Sequence, residues 1–139
     1  MTYTHRIRVR YGECDMQRVV FNANYFAYCD DAVDSWMRQA LAAEMKTSAP
    51  VSDLHELGFD FMLKSATMTW HAPVRFAETI ALGAQVSRWG TSSFDVRIVG
   101  RVDDGVRFEA TITYVSIDPT TQRPSPVPAF VKSALERPN

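Results

Sequence analysis

Residues 8–36 read RVRYGECDMQRVVFNANYFAYCDDAVDSW, and this stretch carries the strongest structural and chemical signals of the sequence. A short strand leads into a loop that contains one acid, Asp15, and an amide-rich segment then opens a long helix. The free N–H groups at a helix N-terminus stabilise developing negative charge, and a carboxylate facing them can attack an electrophile or remove a proton. The stretch therefore predicts a reaction centre in which Asp15 faces the start of the helix.

The flanks of this loop predict one strand and one helix. Over residues 5–11 apolar and arginine side chains alternate, with Ile7, Val9 and Tyr11 on one face, which is the pattern of a half-buried strand. Over residues 24–43 apolar side chains recur at spacings of three and four, as on the buried face of a helix. This apolar surface is wide, which we expect when a sheet wraps around the helix.

The second half of the chain predicts four strands and a short closing helix. Segments rich in Val, Ile, Thr and aromatic residues are separated by short turns and cover residues 59–70, 79–88, 93–102 and 106–117. Strands joined by short turns are antiparallel, so we expect these four to form a meander. After a proline-rich turn, residues 129–136 predict the last helix.

This order of elements predicts an α+β protein in which a five-stranded antiparallel sheet wraps around one long central helix. A single sheet of this kind leaves its edge strands with unpaired main-chain groups, and pairing between subunits is a natural remedy. We therefore expect a homo-oligomer, either a homodimer or a homotetramer.

Length and composition narrow the class of protein. The 139 residues are 46% hydrophobic, which fits one domain over residues 1–139 with a substantial core. With 15 basic and 16 acidic residues the net charge is -1, so we expect no nucleic-acid or membrane partner. No secretion signal or membrane-spanning run is evident. Cys14 and Cys29 match no disulfide framework or metal spacing, which favours reduced thiols in the cytoplasm.

Residues 10–32, RYGECDMQRVVFNANYFAYCDDA, resemble the signature of hotdog-fold acyl-CoA thioesterases of the 4-hydroxybenzoyl-CoA thioesterase family. Further similarity lies in WHAPVRFAETI, RWGTSSF and YVSIDPTTQRPSPVP, so the resemblance covers nearly the whole chain. It implies a hotdog fold and the hydrolysis of an acyl-CoA to free coenzyme A and a carboxylic acid. It implies no metal and no other cofactor.

The resemblance also assigns roles to individual residues. The family's aspartate falls on Asp15, which implies a carboxylate that either attacks the thioester carbonyl or activates water. The main-chain N–H of Asn22 is the expected donor to the thioester oxygen. Arg18 stands where many relatives carry glycine, so we expect its bulk and charge at the mouth of the site, where it either narrows the acyl pocket or meets a polar acyl group. The residues expected to line the acyl and thioester pocket are Phe21, Ala23, Asn24 and Tyr25.

Other chemistry-bearing side chains have structural explanations. Cys14 has no histidine nearby in sequence to activate it, and we expect it to be a small buried apolar residue. Asp34 precedes Arg38 by four residues, a spacing that pairs the two on a helix. The three histidines are far apart and form no metal or triad spacing: His5, His55 and His71.

Two other functions fit the same signature. One is a thioesterase that acts on acyl groups held by an acyl carrier protein, and the other is a non-catalytic module that binds acyl ligands or only assembles. The arginine-rich strand face, with Arg6, Arg8 and Arg10, suits the phosphates of coenzyme A, although strand arginines are usually a solvated face. The sequence alone does not indicate which of these arginines would contact the phosphates.

Overall fold

The computed structural model describes residues 3–137, and the outermost residues of the predicted domain, 1–2 and 138–139, lie outside this range. The described elements, in chain order, are β1 (Tyr3–Arg8), α1 (Asn22–Glu44), β2 (Asp60–Trp70), β3 (Thr79–Trp89), β4 (Ser93–Val102), β5 (Gly105–Ile117) and α2 (Ala129–Glu136). Two short 3₁₀ turns, Tyr11–Glu13 and Leu54–Leu57, flank α1. No helix within residues 3–137 has both the length and the apolar character needed to cross a bilayer.

The five strands form one antiparallel sheet in the order β1-β3-β4-β5-β2. The predicted meander holds for β3, β4 and β5, but the expectation that it includes β2 is wrong. β2 pairs instead with the far side of β5, from Asp60 opposite Ile117 to Trp70 opposite Phe108. Neighbours in sequence pair in a sheet only as a tendency, and the 13-residue β5 offers a long edge that satisfies the main-chain groups of β2.

α1 packs against one face of this sheet and forms the core with it. Its buried residues include Tyr25, Ala32, Trp36 and Leu41, and the alternate residues of β3, β4 and β5 complete the same apolar cluster. Each large side chain buried in this way contributes about 1.5 to 3 kcal/mol to folding. The wide apolar surface predicted for the helix is confirmed.

β1 ends earlier than the sequence pattern predicts. Val9 is buried as expected, but Tyr11 is 81% exposed and lies in a 3₁₀ turn instead of a strand. The carboxylate of Glu13 accepts a hydrogen bond from the main-chain N–H of Arg10 at 2.8 Å, and this bond turns the chain away from the sheet. Tyr11 is thereby directed towards the loop that contains Asp15.

β2 is an edge strand, and its outer side has no neighbour in this chain. Three large apolar side chains on it are exposed: Met62 at 55%, Leu63 at 54% and Trp70 at 44%. An 11-residue edge of this kind is a template for pairing with another chain.

Candidate active site

Residues 14–20 form a tight hairpin with Asp15 at its turn. The main-chain oxygen of Asp15 accepts the N–H of Arg18 at 2.9 Å, and its own N–H donates to the oxygen of Val19 at 2.9 Å. Oδ1 of Asp15 accepts the N–H of Gln17 at 2.8 Å, which locks the side chain in place. Oδ2 makes no hydrogen bond with the described residues, so this oxygen is available to a reactant.

Arg18 adopts the left-handed backbone conformation, with φ of 65°. This position closes a three-residue hairpin loop, where glycine is favoured because a side chain costs about 1 kcal/mol there. Glycine would meet this conformational demand without cost, and this chain holds a guanidinium at the position instead. Ala77, in the neighbouring loop, is also left-handed at 67°. Both loops therefore contain a non-glycine residue in a strained backbone conformation, and such residues cluster at functional sites.

Glu13 ties the hairpin to the first two turns of α1. Its main-chain oxygen accepts the N–H of Phe21 at 3.0 Å and the side-chain amide of Asn24 at 2.9 Å. Its Oε1 accepts the hydroxyl of Tyr28 at 2.9 Å. Because Asp15 follows two residues later, these bonds set the position of the acid relative to the helix.

The charge of Glu13 is part of this connection. Burial raises its pKa, but hydrogen bonds from the side chain and main chain of Arg10 and from Tyr28 outweigh burial, and the net pKa is below its ordinary value. The Arg10 guanidinium donates to Oε2 at 3.0 Å and 2.6 Å. The pKa of the Tyr28 hydroxyl is raised, first by burial and then by this carboxylate. Glu13 is therefore held as an anion and Tyr28 as a neutral donor.

α1 starts without a side-chain cap. Phe21 takes the N-cap position in an extended conformation, and the helix begins at Asn22, two residues before the predicted start. The N–H of Asn24 bonds to the oxygen of Phe21 at 2.9 Å, whereas those of Asn22 and Ala23 have no acceptor among residues 3–137. First-turn N–H groups hold the positive end of the helix dipole. Such free donors are what a developing oxyanion requires.

An open cavity of about 580 Å³ lies against the hairpin. Its lining consists of Tyr11, Cys14, Asp15, Met16, Arg18 and Phe76. Of the residues predicted from sequence, the cavity brings together Asp15 and Arg18. The sequence pattern places Tyr11 on the strand and Phe76 in a separate segment, so neither is predicted to line the site, and the one sequence signal for Phe76 is its place in the HAPVRF turn.

The other predicted site residues lie on α1 or just before it and do not line this cavity: Phe21, Asn22, Ala23, Asn24 and Tyr25. Phe21 is 52% exposed at the helix start. Tyr25 is buried against Phe108, and its hydroxyl accepts the N–H of Val74 at 3.0 Å. The amide of Asn24 is used by Glu13. Through these contacts Asn24 and Tyr25 hold the helix start against the two neighbouring loops.

The loop of residues 71–78 supplies Phe76 to the lining of the cavity. Val74 accepts the N–H of Val20 at 2.8 Å, and Arg75 forms a bridge with Val19, so this loop is bound to the Asp15 hairpin. The bridge places Phe76 edge-on to Tyr11, with ring centroids 5.9 Å apart. Two chain segments more than 50 residues apart thus meet over the same opening.

A second cavity, of about 770 Å³, lies between α1 and β2. Phe26, Asp30 and Asp34 line it from the helix, and Phe61 and Met62 line it from the strand. Burial, and then the neighbouring Asp34, raise the pKa of Asp30. The predicted pair of Asp34 with Arg38 is confirmed, at 3.0 Å.

Cys14 differs from the sequence expectation, since it is partly exposed and lines the cavity beside Asp15. It stays at the surface because it belongs to the hairpin and not to the sheet. Its pKa is raised by burial and by the charges of Asp15 and Glu13, which disfavours the thiolate that a nucleophile requires. The structure thus gives a reason to set the thiol aside.

Each histidine contacts an acid, which is 26 residues away for His5 and 38 for His71 but only five for His55. The pairs are His5 with Asp31 at 2.8 Å, His55 with Asp60 at 2.7 Å and His71 with Glu109 at 2.8 Å. None of the three histidines lines the cavity with Asp15. Across the described part of the chain, no three His, Cys, Asp or Glu side chains are grouped as metal ligands are.

Comparisons with known proteins agree with this architecture. The family model of the Thioesterase-like superfamily matches residues 9–135. Acyl-CoA thioester hydrolase YbgC of Escherichia coli O6:H1 is 25% identical over 138 residues, which cover 94% of this chain and 93% of that protein.

Solved structures show the same fold at low identity. A gentisyl-coenzyme A thioesterase is 19% identical with a TM-score of 0.80, covering 97% of this chain and 100% of that one. A 1,4-dihydroxy-2-naphthoyl-CoA thioesterase from Synechocystis is 19% identical with a TM-score of 0.79, covering 99% and 100%. A Staphylococcus aureus protein solved in complex with CoA is 12% identical with a TM-score of 0.79, covering 98% and 82%. The predicted hotdog fold is confirmed.

Proposed function

Because this chain belongs to the thioesterase-like superfamily, we propose that it hydrolyses the thioester of an acyl-coenzyme A to free coenzyme A and a carboxylic acid. One observation carries the assignment to a site: Asp15, with Oδ2 unused, lies in a hairpin that Glu13 ties to the uncapped start of α1. A carboxylate and free helix donors held in one unit are what acyl transfer to water requires.

Asp15 acts in one of two ways. As a general base, Oδ2 takes a proton from water while the water oxygen attacks the thioester carbon. The C–S bond then breaks, and the departing thiolate takes up the proton. As a nucleophile, Oδ2 attacks the carbon itself, expels the thiolate and leaves a mixed anhydride that water hydrolyses. Negative charge develops on the carbonyl oxygen in both routes, and the Asn22 N–H is the donor that we assign to it.

The remaining predicted contacts stay part of this proposal. We assign Arg18 to the mouth of the site, where it lines the cavity beside Asp15. We assign the acyl and thioester contacts to the helix start, through Phe21, Ala23, Asn24 and Tyr25. Support for this comes from the exposure of Phe21 and from the free main-chain donors that follow it.

The proposal is tested by thiol release from a panel of short, medium and aromatic acyl-CoAs. We expect hydrolysis of at least one class and a loss of about 100-fold or more in kcat for Asp15→Asn. Turnover in that variant equal to the wild type would remove Asp15 from the mechanism. In a single turnover in ¹⁸O-labelled water, unlabelled product acid together with ¹⁸O in Asp15 identifies attack by Asp15 itself, because water then opens the anhydride at the Asp15 carbonyl.

We also propose that the protein works as a homo-oligomer in the cytoplasm. The exposed β2 edge, with Met62, Leu63 and Trp70, supports subunit pairing, as does the open cavity between β2 and α1. The two free cysteines, Cys14 and Cys29, are compatible with a reducing compartment. Light scattering at assay concentration measures the molar mass in solution and so tests the proposed homo-oligomer.

A further inference from the structure

Arginines without a carboxylate partner are concentrated around the Asp15 cavity. Six arginines of the described chain form ion pairs, at positions 10, 38, 88, 97, 107 and 137. Six further arginines have no such partner within residues 3–137: Arg101 and Arg123, and the four on the segments around the cavity, Arg6, Arg8, Arg18 and Arg75. Of the carboxylates on these segments, Glu13 and Glu78 are already engaged by Arg10 and Arg107, and Asp15 forms no ion pair with a described residue. The unpaired charge therefore remains available to an anionic ligand.

These arginines lead away from the cavity along one path. Arg18 lines the cavity, and Arg75, which does not line it, directly precedes the lining residue Phe76 and bridges to Val19 of the hairpin. The Arg8 guanidinium lies 5.9 Å from the centroid of the Phe76 ring. Arg6 is exposed on the same face of β1 as Arg8, about 7 Å further along the strand. The path runs from the reactive acid, past an aromatic wall, to two adjacent cations on the strand.

We propose that Arg6, Arg8 and Arg75 bind the phosphates of the coenzyme A nucleotide while the pantetheine arm passes between Tyr11 and Phe76. This inference rests on the proposed function and names the part of the substrate that the site recognises. In an acyl-CoA the long pantetheine arm separates the thioester from the diphosphate, so phosphate-binding groups belong outside the cavity that holds the attacking group. Guanidinium groups suit phosphate oxygens because they donate in a planar fork.

The same path distinguishes between two thioester carriers. Coenzyme A brings a diphosphate and a 3′-phosphate, whereas the arm of a carrier protein brings one phosphodiester attached to a protein surface. Three unpaired guanidinium groups match the several phosphates of the free nucleotide. We therefore assign coenzyme A, and not a carrier protein, as the carrier.

The test compares one acyl group on coenzyme A and on N-acetylcysteamine, a thiol that lacks the nucleotide. The measured quantity is the ratio of kcat/KM for the two thioesters. We expect Arg6→Gln/Arg8→Gln, and separately Arg75→Gln, to lower this ratio at least about 10-fold through a higher KM for the acyl-CoA. Adenosine 3′,5′-bisphosphate should inhibit the wild type competitively and the double variant much more weakly.

Arg123→Gln is the matched control, because Arg123 also lacks an ion pair within residues 3–137 and lies beyond β5, away from the cavity. Its ratio should equal that of the wild type. An unchanged ratio in the double variant would overturn the proposal, as would non-competitive action of the bisphosphate. A larger loss with an acyl carrier protein than with the acyl-CoA would also overturn it. If the wild type hydrolyses neither thioester, the proposed function fails instead.

Discussion

The side-chain amide of Asn24 donates a hydrogen bond to the main-chain oxygen of Glu13 at 2.9 Å. A residue in the first turn of α1 thus holds the end of the segment from which the Asp15 hairpin begins. The same oxygen accepts the N–H of Phe21, so both bonds close the gap between loop and helix. The distance between the acid and the helix donors depends on this contact.

Asn24→Ala should lower the free energy of unfolding by about 1 kcal/mol, since it removes one partly buried hydrogen bond. It should also lower kcat, because the hairpin is no longer held against the helix start. Urea unfolding and thiol-release assays measure the two effects. Asn22→Ala is the control for stability, since that side chain is exposed and makes no hydrogen bond within residues 3–137. Equal losses of stability in the two variants would contradict the prediction.

Glu13→Gln should destabilise the protein at pH 7 by about 1 to 2 kcal/mol, because a charged acceptor of several hydrogen bonds becomes neutral. The native pKa of Glu13 is lowered, so the unfolded state binds more protons between that pKa and the ordinary value of about 4.3. The stabilisation is therefore complete above about pH 4.3 and is lost as the pH falls through the native pKa.

The measurement is urea unfolding of wild type and Glu13→Gln at pH 7 and pH 3. The difference between the two proteins should be large at pH 7 and small at pH 3. Glu56→Gln is the control, because Glu56 is exposed and has no ion pair within the described residues. A difference that is independent of pH would show that the charge of Glu13 does not stabilise the fold.

Asn22→Pro should test the contribution of the proposed oxyanion donor to kcat without destabilising the helix. Proline is tolerated at the first helical position, and the extended conformation of Phe21 suits a residue that precedes it. The substitution removes the Asn22 N–H, so we expect kcat to fall about 100-fold or more while the melting temperature changes little. Asn22→Ala keeps the N–H and serves as the comparison. Equal kcat in the two variants would exclude this donor.

Arg18→Gly should raise the free energy of unfolding by up to about 1 kcal/mol, because glycine adopts a positive φ without steric cost. Gly58→Ala tests the same effect in reverse, since Gly58 has φ of 72° and an added Cβ there meets no atom within 4 Å. We expect it to lose about 1 kcal/mol. Thermal or urea unfolding measures both. Destabilisation by Arg18→Gly would mean that the guanidinium contributes more than the backbone costs.

The helices and strands of this fold follow from sequence patterns, but the place of the edge strand β2 in the sheet does not. β4 and α2 begin and end where the patterns place them, because alternation and helical spacing are local properties. The position of β2 beside β5 is a pairing between strands that are not neighbours in sequence, and no turn residue encodes it. Tyr11 lies outside the strand because the side chain of Glu13 accepts a hydrogen bond from the main-chain N–H of Arg10 and turns the chain there.

Some residues of the candidate site are likewise predictable from sequence, and others are brought to it only by the fold. Asp15 and Arg18 are predictable from one continuous motif, since both belong to the same hairpin. Phe76 reaches the cavity through a bridge between Val19 and Arg75, a contact that depends on the fold and not on spacing. The pairing of His71 with Glu109 across two strands arises in the same way and has no local signal.

The exposed edge of β2 has a consequence for how this protein is handled in solution. If subunits associate through that edge, folding and assembly form one mass-action equilibrium, and the melting temperature rises with protein concentration. An assay at nanomolar enzyme and an unfolding experiment at micromolar protein then sample different populations. A loss of specific activity on dilution that follows dissociation of the oligomer would show that the Asp15 site depends on a second subunit.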